Sequence, residues 1–281
     1  MKSVNTVPEI LSTFPDSYFD RRKWRDYAGR IHPELPKLCE EDAAKYGFEK
    51  NILPVIEAAL EAPERLRRLG SCFGHVMVEL EKRLPVLFDQ ECEVTVILYL
   101  GLCNAAGRVT FIGGEKVMLL GVEKILELNW DSEEKLKALL YHEIGHIWHE
   151  TYGELEFPVH TKQERSMLQL WQEGIAMVCE QNVNGDEAFY HQDVNGWLAW
   201  CQEQEKMIRN EYLRRLECNE STQDFFGDWC EFYGYSDVGY YLGCRFVRWM
   251  MKESDLREIA AMRCSELLEK YTRFAEGELR I

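Results

Sequence analysis

Residues 141–149 read Tyr-His-Glu-Ile-Gly-His-Ile-Trp-His. His142 and His146 are four positions apart, so on a helix they stand on one face with Cβ atoms about 6 Å apart. Two imidazoles placed in this way converge on one metal ion at about 2.0–2.1 Å each. Glu143, next to the first imidazole, points past the ion to where a bound water sits and can take that water's proton. The neighbours Leu139, Leu140, Tyr141, Ile144, Ile147 and Trp148 are uncharged, so the helix is expected to be buried on several sides. Ionisable groups in such a helix are costly unless paired or metal-bound.

A catalytic zinc needs a third protein ligand and an open position for water. His149 is nearest, but it lies seven residues beyond His142, about 10 Å along the axis at 1.5 Å per residue. One ion cannot take all three histidines without unwinding the helix, and His149 is expected behind the site or in the core. Glu173 is the better candidate. It stands 27 residues after His146, in Leu170-Trp171-Gln172-Glu173-Gly174-Ile175-Ala176, among apolar neighbours unusual for a solvated face. A loop around residues 152–160 would let its helix pack beside the first, and the small Gly174 and Ala176 would permit close approach. Glu180, near the end of that helix, reads as an exposed glutamate. His160 and His191 fall in expected loops that could line a cleft, with nothing to pair either with a metal. His75 reads as an ordinary core or surface histidine.

His142-Glu-Ile-Gly-His146 followed by Glu173-Gly-Ile-Ala176 resembles the gluzincin branch of zinc metallopeptidases, and in its wording families of bacterial zinc-dependent proteases. A later Gly239-Tyr-Tyr-Leu-Gly243 is similar to a Gly-Tyr-x-x-Gly helix of those families. The resemblance spans about residues 90–250. The Asn-Glu-x-x-x-Asp signature of thermolysin-like enzymes is absent, with Gln172-Glu173 in its place, so their substrate rules do not carry over. The resemblance implies one Zn2+ per chain held by His142, His146 and Glu173. It makes Glu143 the general base and then the proton shuttle to a leaving amine. An oxyanion donor is also needed: Tyr240 is the choice, with Tyr241, Tyr235 and Arg245 as alternatives. In zincins a sheet-edge strand pairs with an extended peptide substrate; Val109–Ile112 and Val117–Leu120 are the candidates. The activity implied is peptide-bond hydrolysis on a peptide or protein substrate. The alternative is a non-catalytic zinc-binding or interaction protein that keeps the zincin fold.

The elements that must position these residues follow from pattern. Residues 1–90 read as helices broken by prolines at 8, 15, 33, 36, 54, 63 and 85. Residues 93–100 are β-branched, and 108–112 with 116–120 flank Gly113-Gly114 as a hairpin. Asp131 with Glu134 looks like a capping pair ahead of the histidine helix. Further helices are expected near 162–181, 196–216, 236–249 and 255–274. The class is α+β, mostly α: a zincin-like small sheet beside the active-site helix, with a helical C-terminal part. Three regions are expected: N-terminal helices (1–90), the catalytic core (91–185) and C-terminal helices completing the cleft (186–281).

The 281 residues are 46% apolar, enough for a sizeable core. Against 33 Lys and Arg stand 49 Asp and Glu, a net charge of −16. That balance argues against nucleic-acid or anionic-membrane partners, which need a basic surface. Ten scattered cysteines without CxxC spacing suggest reduced, mostly buried thiols in a cytoplasmic protein. No apolar leader opens the chain and no run is long enough to span a bilayer. No serine or cysteine has a nucleophile-elbow context.

Overall fold

The computed structural model describes residues 1–90, 92–155, 159–227 and 229–277. In chain order, β1 (Lys2–Asn5) precedes α1 (Val7–Thr13), α2 (Arg21–Ile31), α3 (Leu35–Ala43), α4 (Leu53–Leu60) and α5 (Pro63–Arg83). Then come β2 (Thr95–Tyr99), β3 (Gly107–Ile112), β4 (Glu115–Gly121), α6 (Val122–Glu127), α7 (Glu133–Tyr152) and α8 (Lys162–Asn184). The remainder is α9 (Trp197–Glu203), α10 (Glu205–Glu217), α11 (Val238–Met250), α12 (Leu256–Ala260) and α13 (Cys264–Glu276). The fold is therefore α+β and mostly helical. Two compact units cover Met1–Glu143 and Ile144–Ile281. Their division falls inside α7, a single unbroken helix.

The first unit carries one sheet of order β1-β2-β4-β3. β1, β2 and β4 run parallel, and β3 lies antiparallel to β4 at one edge. Val96, Ile97, Leu98 and Tyr99 of β2 are all buried, as expected of a strand covered on both faces. β4 is paired on both sides, so of the two candidate strands only β3 is an edge strand among the described residues. The hairpin turns on Gly113 and Gly114, both with positive φ, which glycine adopts without a Cβ penalty. β1 went unread in the sequence because its four residues are all exposed and show no alternation. Beside it, the Thr6 hydroxyl donates to the Leu98 carbonyl and shares a hydrogen bond with the Tyr27 hydroxyl. Trp24 donates its indole N–H to the Leu100 carbonyl.

Leu100 opens a loop that is tied down before β3 begins. The buried Glu123 of α6 accepts the backbone N–H groups of Gly101 (2.9 Å) and Cys103 (3.0 Å). Gly121 N–H donates to the Ala106 carbonyl at 3.0 Å. A surface-looking glutamate in a six-residue helix is thus the clamp that delivers β3.

α7 starts one residue later than the expected capping pair implies. Ser132 Oγ accepts the Lys135 N–H, while Asp131 is bound instead by the Arg65 guanidinium, which holds its carboxyl below the usual range. In the second unit, α8 begins in a Thr161–Glu164 capping box. The segment expected as one helix over 196–216 is broken at Gln204 into α9 and α10, and 255–274 is split into α12 and α13. All ten cysteines are free thiols, six of them buried. Trp229 is 43% exposed. No helix among the described residues is long and apolar enough to cross a membrane.

Candidate metal centre

α7 is buried on several sides, as its flanking residues imply: Leu136, Leu140 and Ile144 are fully covered, and His142 and Glu143 are only 3% and 5% exposed. Each of His142, His146 and Glu173 offers a ligand atom within 4.8 Å of the other two. His146 Nε2 lies 3.3 Å from Glu173 Oε2. Two ligands each 2.0–2.1 Å from an ion at a tetrahedral angle stand about 3.3 Å apart, so this pair already has the spacing of coordination. His142 is buried while His146 and Glu173 are part-exposed. The set thus has one buried and two part-exposed members, and a site that keeps a water position needs such access.

Small residues bring the second unit's helices together, though not as the sequence reading assigned them. A Cβ on Gly145 of α7 would lie 2.7 Å from the Ala176 Cα and 2.8 Å from its carbonyl oxygen. A Cβ on Gly174 would lie 2.3 Å from the Gly243 carbonyl oxygen of α11. Thus Ala176 serves the α7 approach, whereas Gly174 and Gly243 serve a crossing of α8 with α11. Gly145→Ala should therefore force α7 and α8 apart at the level of His146 and Glu173. We expect a loss of about 1–3 kcal/mol, read as a lower urea midpoint with unchanged slope, together with weaker metal binding.

Glu143 lies against the start of β3: a Cβ on Gly107 would fall 2.5 Å from Glu143 Oε1. The Glu143 side chain therefore packs against the backbone at the start of the edge strand, and a side chain on residue 107 would crowd it. The candidate oxyanion donors separate by environment. Tyr241 is buried and its hydroxyl donates to Glu205 at 2.6 Å; Arg245 binds the same carboxylate. Tyr235 stacks on Trp200. Tyr240 is part-exposed and lies edge-on to His191, ring centres 6.5 Å apart.

His149 is buried, edge-on to Trp171 at 4.4 Å. Burial first, and His146 second, holds its pKa down to about 3, so the ring is neutral. It belongs to neither of the potential ligand sets among the described residues. His160 is exposed, its backbone N–H donating to Glu164. Residues 156–158 of the loop expected between α7 and α8 lie outside the described residues.

Two residues escaped the sequence reading. Glu180, expected to be exposed, is 0% exposed. His191, expected in a loop with nothing to pair it with a metal, is buried beside it with Nδ1 3.0 and 2.9 Å from the two carboxylate oxygens. Glu180, His191 and His142 form a second group of ligand atoms within 4.8 Å of one another, all three buried. The available signal was spacing: Glu180 is seven residues, two helical turns, beyond Glu173 on the same face. Set beside known protein families, curated proteins and solved structures, the chain matches none.

Proposed function

We propose that the protein is a zinc-dependent peptidase of zincin-like fold, with one zinc held by His142, His146 and Glu173. The observation that carries this reading is the 3.3 Å spacing of His146 and Glu173 in a set whose third member, His142, is buried while these two are part-exposed. The donor chemistry fits: two imidazoles and a carboxylate suit a borderline ion that retains a water position. Zinc bound there supplies Lewis-acid polarisation of a carbonyl and makes a water more acidic.

The chain's own groups do the rest. Glu143 accepts a proton from the attacking water and passes it to the departing amine. The Tyr240 hydroxyl donates a hydrogen bond to the carbonyl oxygen as it gains charge, without bringing charge of its own. β3 offers an unpaired edge to an extended peptide, which would add as a further strand. The contact of Gly107 with Glu143 then sets the register between that peptide and the base. Peptides, rather than nucleic acids, suit a chain of net charge −16.

Metal content tests the reading. Elemental mass spectrometry of the purified protein, without added zinc, should find about one zinc per chain. His146→Ala and Glu173→Ala should each lose it. A wild type without zinc after reconstitution would overturn the proposal. Zinc kept in Glu173→Ala would remove Glu173 from the ligand set.

A further inference from the structure

We propose that the buried Glu180–His191 pair positions His142, holding the ring of the first metal ligand without binding the ion. The inference rests on the metal site proposed above and extends it inward. His146 and Glu173 stand 3.3 Å apart, the spacing of two ligands on a common ion. His191 Nδ1 and Glu180 stand 2.9 and 3.0 Å apart, the length of a charge-assisted hydrogen bond. An ion between the latter pair would have to displace the proton that joins them and push the groups apart, in a part of the core closed on all three residues.

What such a pair can do follows from the needs of His142. An imidazole that ligates a metal through one nitrogen carries its proton on the other, and a buried N–H requires an acceptor. His142 is 3% exposed, so solvent cannot serve. Glu180 and His191 bring acceptor atoms to within 4.8 Å of it. With His191 Nδ1–H turned to Glu180, the second nitrogen of His191 is an acceptor; a carboxylate oxygen of Glu180 is another. An N–H of His142 donated to either of them would fix its tautomer and the direction of its free lone pair.

The placement is built into the chain. Glu173 and Glu180 lie two turns apart on α8, so one helix supplies both the ligand and the support. His191 sits in the turn after α8, which Tyr190 anchors by packing on Trp197 and Tyr241. The Asp193 N–H closes that turn on the Tyr190 carbonyl.

Zinc affinity, measured by competition with a chromophoric chelator on the full chain, tests the proposal. Glu180→Gln keeps the shape and one acceptor oxygen but removes the charge; His191→Gln provides an independent readout should the first variant fold poorly. Folding is checked by circular dichroism and thermal melting. Each variant should bind zinc about 10–100-fold more weakly than wild type. Tyr212→Phe is the structural control: it deletes a different buried hydrogen bond to α8, the one to the Ser166 carbonyl, and should leave zinc affinity within about twofold. Unchanged affinity in both folded pair variants would overturn the positioning role while leaving the site on His142, His146 and Glu173 intact. Zinc abolished by the pair variants but retained in His146→Ala and Glu173→Ala would place the ion in the buried group and overturn both readings.

Discussion

Glu143→Gln should retain zinc at the wild-type level and lose peptide hydrolysis by about 10²–10⁴-fold. The separation is expected because Glu143 belongs to neither group of potential ligands, although it is adjacent in sequence to His142. Glutamine has nearly the volume of glutamate, so it fits the slot against Gly107, where a single added carbon on the strand would already meet the carboxylate. It lacks the basic oxygen that accepts a proton from water. The residual activity would come from substrate orientation and charge stabilisation, which the substitution leaves in place. The measurement is kcat on a peptide substrate beside zinc content on the same preparations. Full activity in zinc-loaded Glu143→Gln would exclude Glu143 as the base. Activity absent from the zinc-loaded wild type on a broad peptide library would favour a metal-binding protein without catalysis.

The histidine helix was legible because its chemistry is local. Residues four apart share a face whatever surrounds them, and the apolar neighbours of His142 and His146 announced burial. Glu173 was legible for the same reason, as a carboxylate set among Leu170, Trp171, Ile175 and Ala176. The Gly113-Gly114 hairpin was legible because two positive φ angles in succession demand such residues. What escaped was non-local. Glu180 looked like a helix-end glutamate because its partner, His191, is eleven residues away in a turn without periodicity. Gly174 looked like the contact for α7, whereas its neighbour is Gly243, sixty-nine positions along the chain. β1 was invisible because an exposed four-residue strand shows no alternation and is held largely by its partner's backbone. The division of labour is physical: helical spacing reports which residues share a face, and only packing reports what that face meets.

The same distinction makes Glu123 a place where an unremarkable glutamate should have a large and sign-specific effect. It is fully covered, and burial pushes its pKa from an ordinary 4.5 up to about 7, although backbone N–H donors, including those of Gly101 and Cys103, oppose the shift. Between those two values the folded chain holds a proton that the unfolded chain releases. Stability from this group is therefore complete below about pH 4.5 and is lost as pH rises through about 7. A shift of this size corresponds to about 3 kcal/mol at most. In urea unfolding of the metal-free protein, wild type should lose about 2–3 kcal/mol between pH 5 and pH 8 relative to Glu123→Gln, which has no proton to exchange. Parallel pH curves would mean that Glu123 is ionised throughout, held so by its backbone donors. The consequence reaches the site. Glu123 grips the loop from Gly101 to Cys103, that loop delivers β3, and the first residue of β3 lies on Glu143. A charge forced into this clamp at alkaline pH strengthens its hydrogen bonds but raises the cost of keeping it buried. The loop should therefore open before the rest of the first unit unfolds, seen as earlier loss of amide-exchange protection at Gly101 and Cys103 than at Leu98 or Leu120.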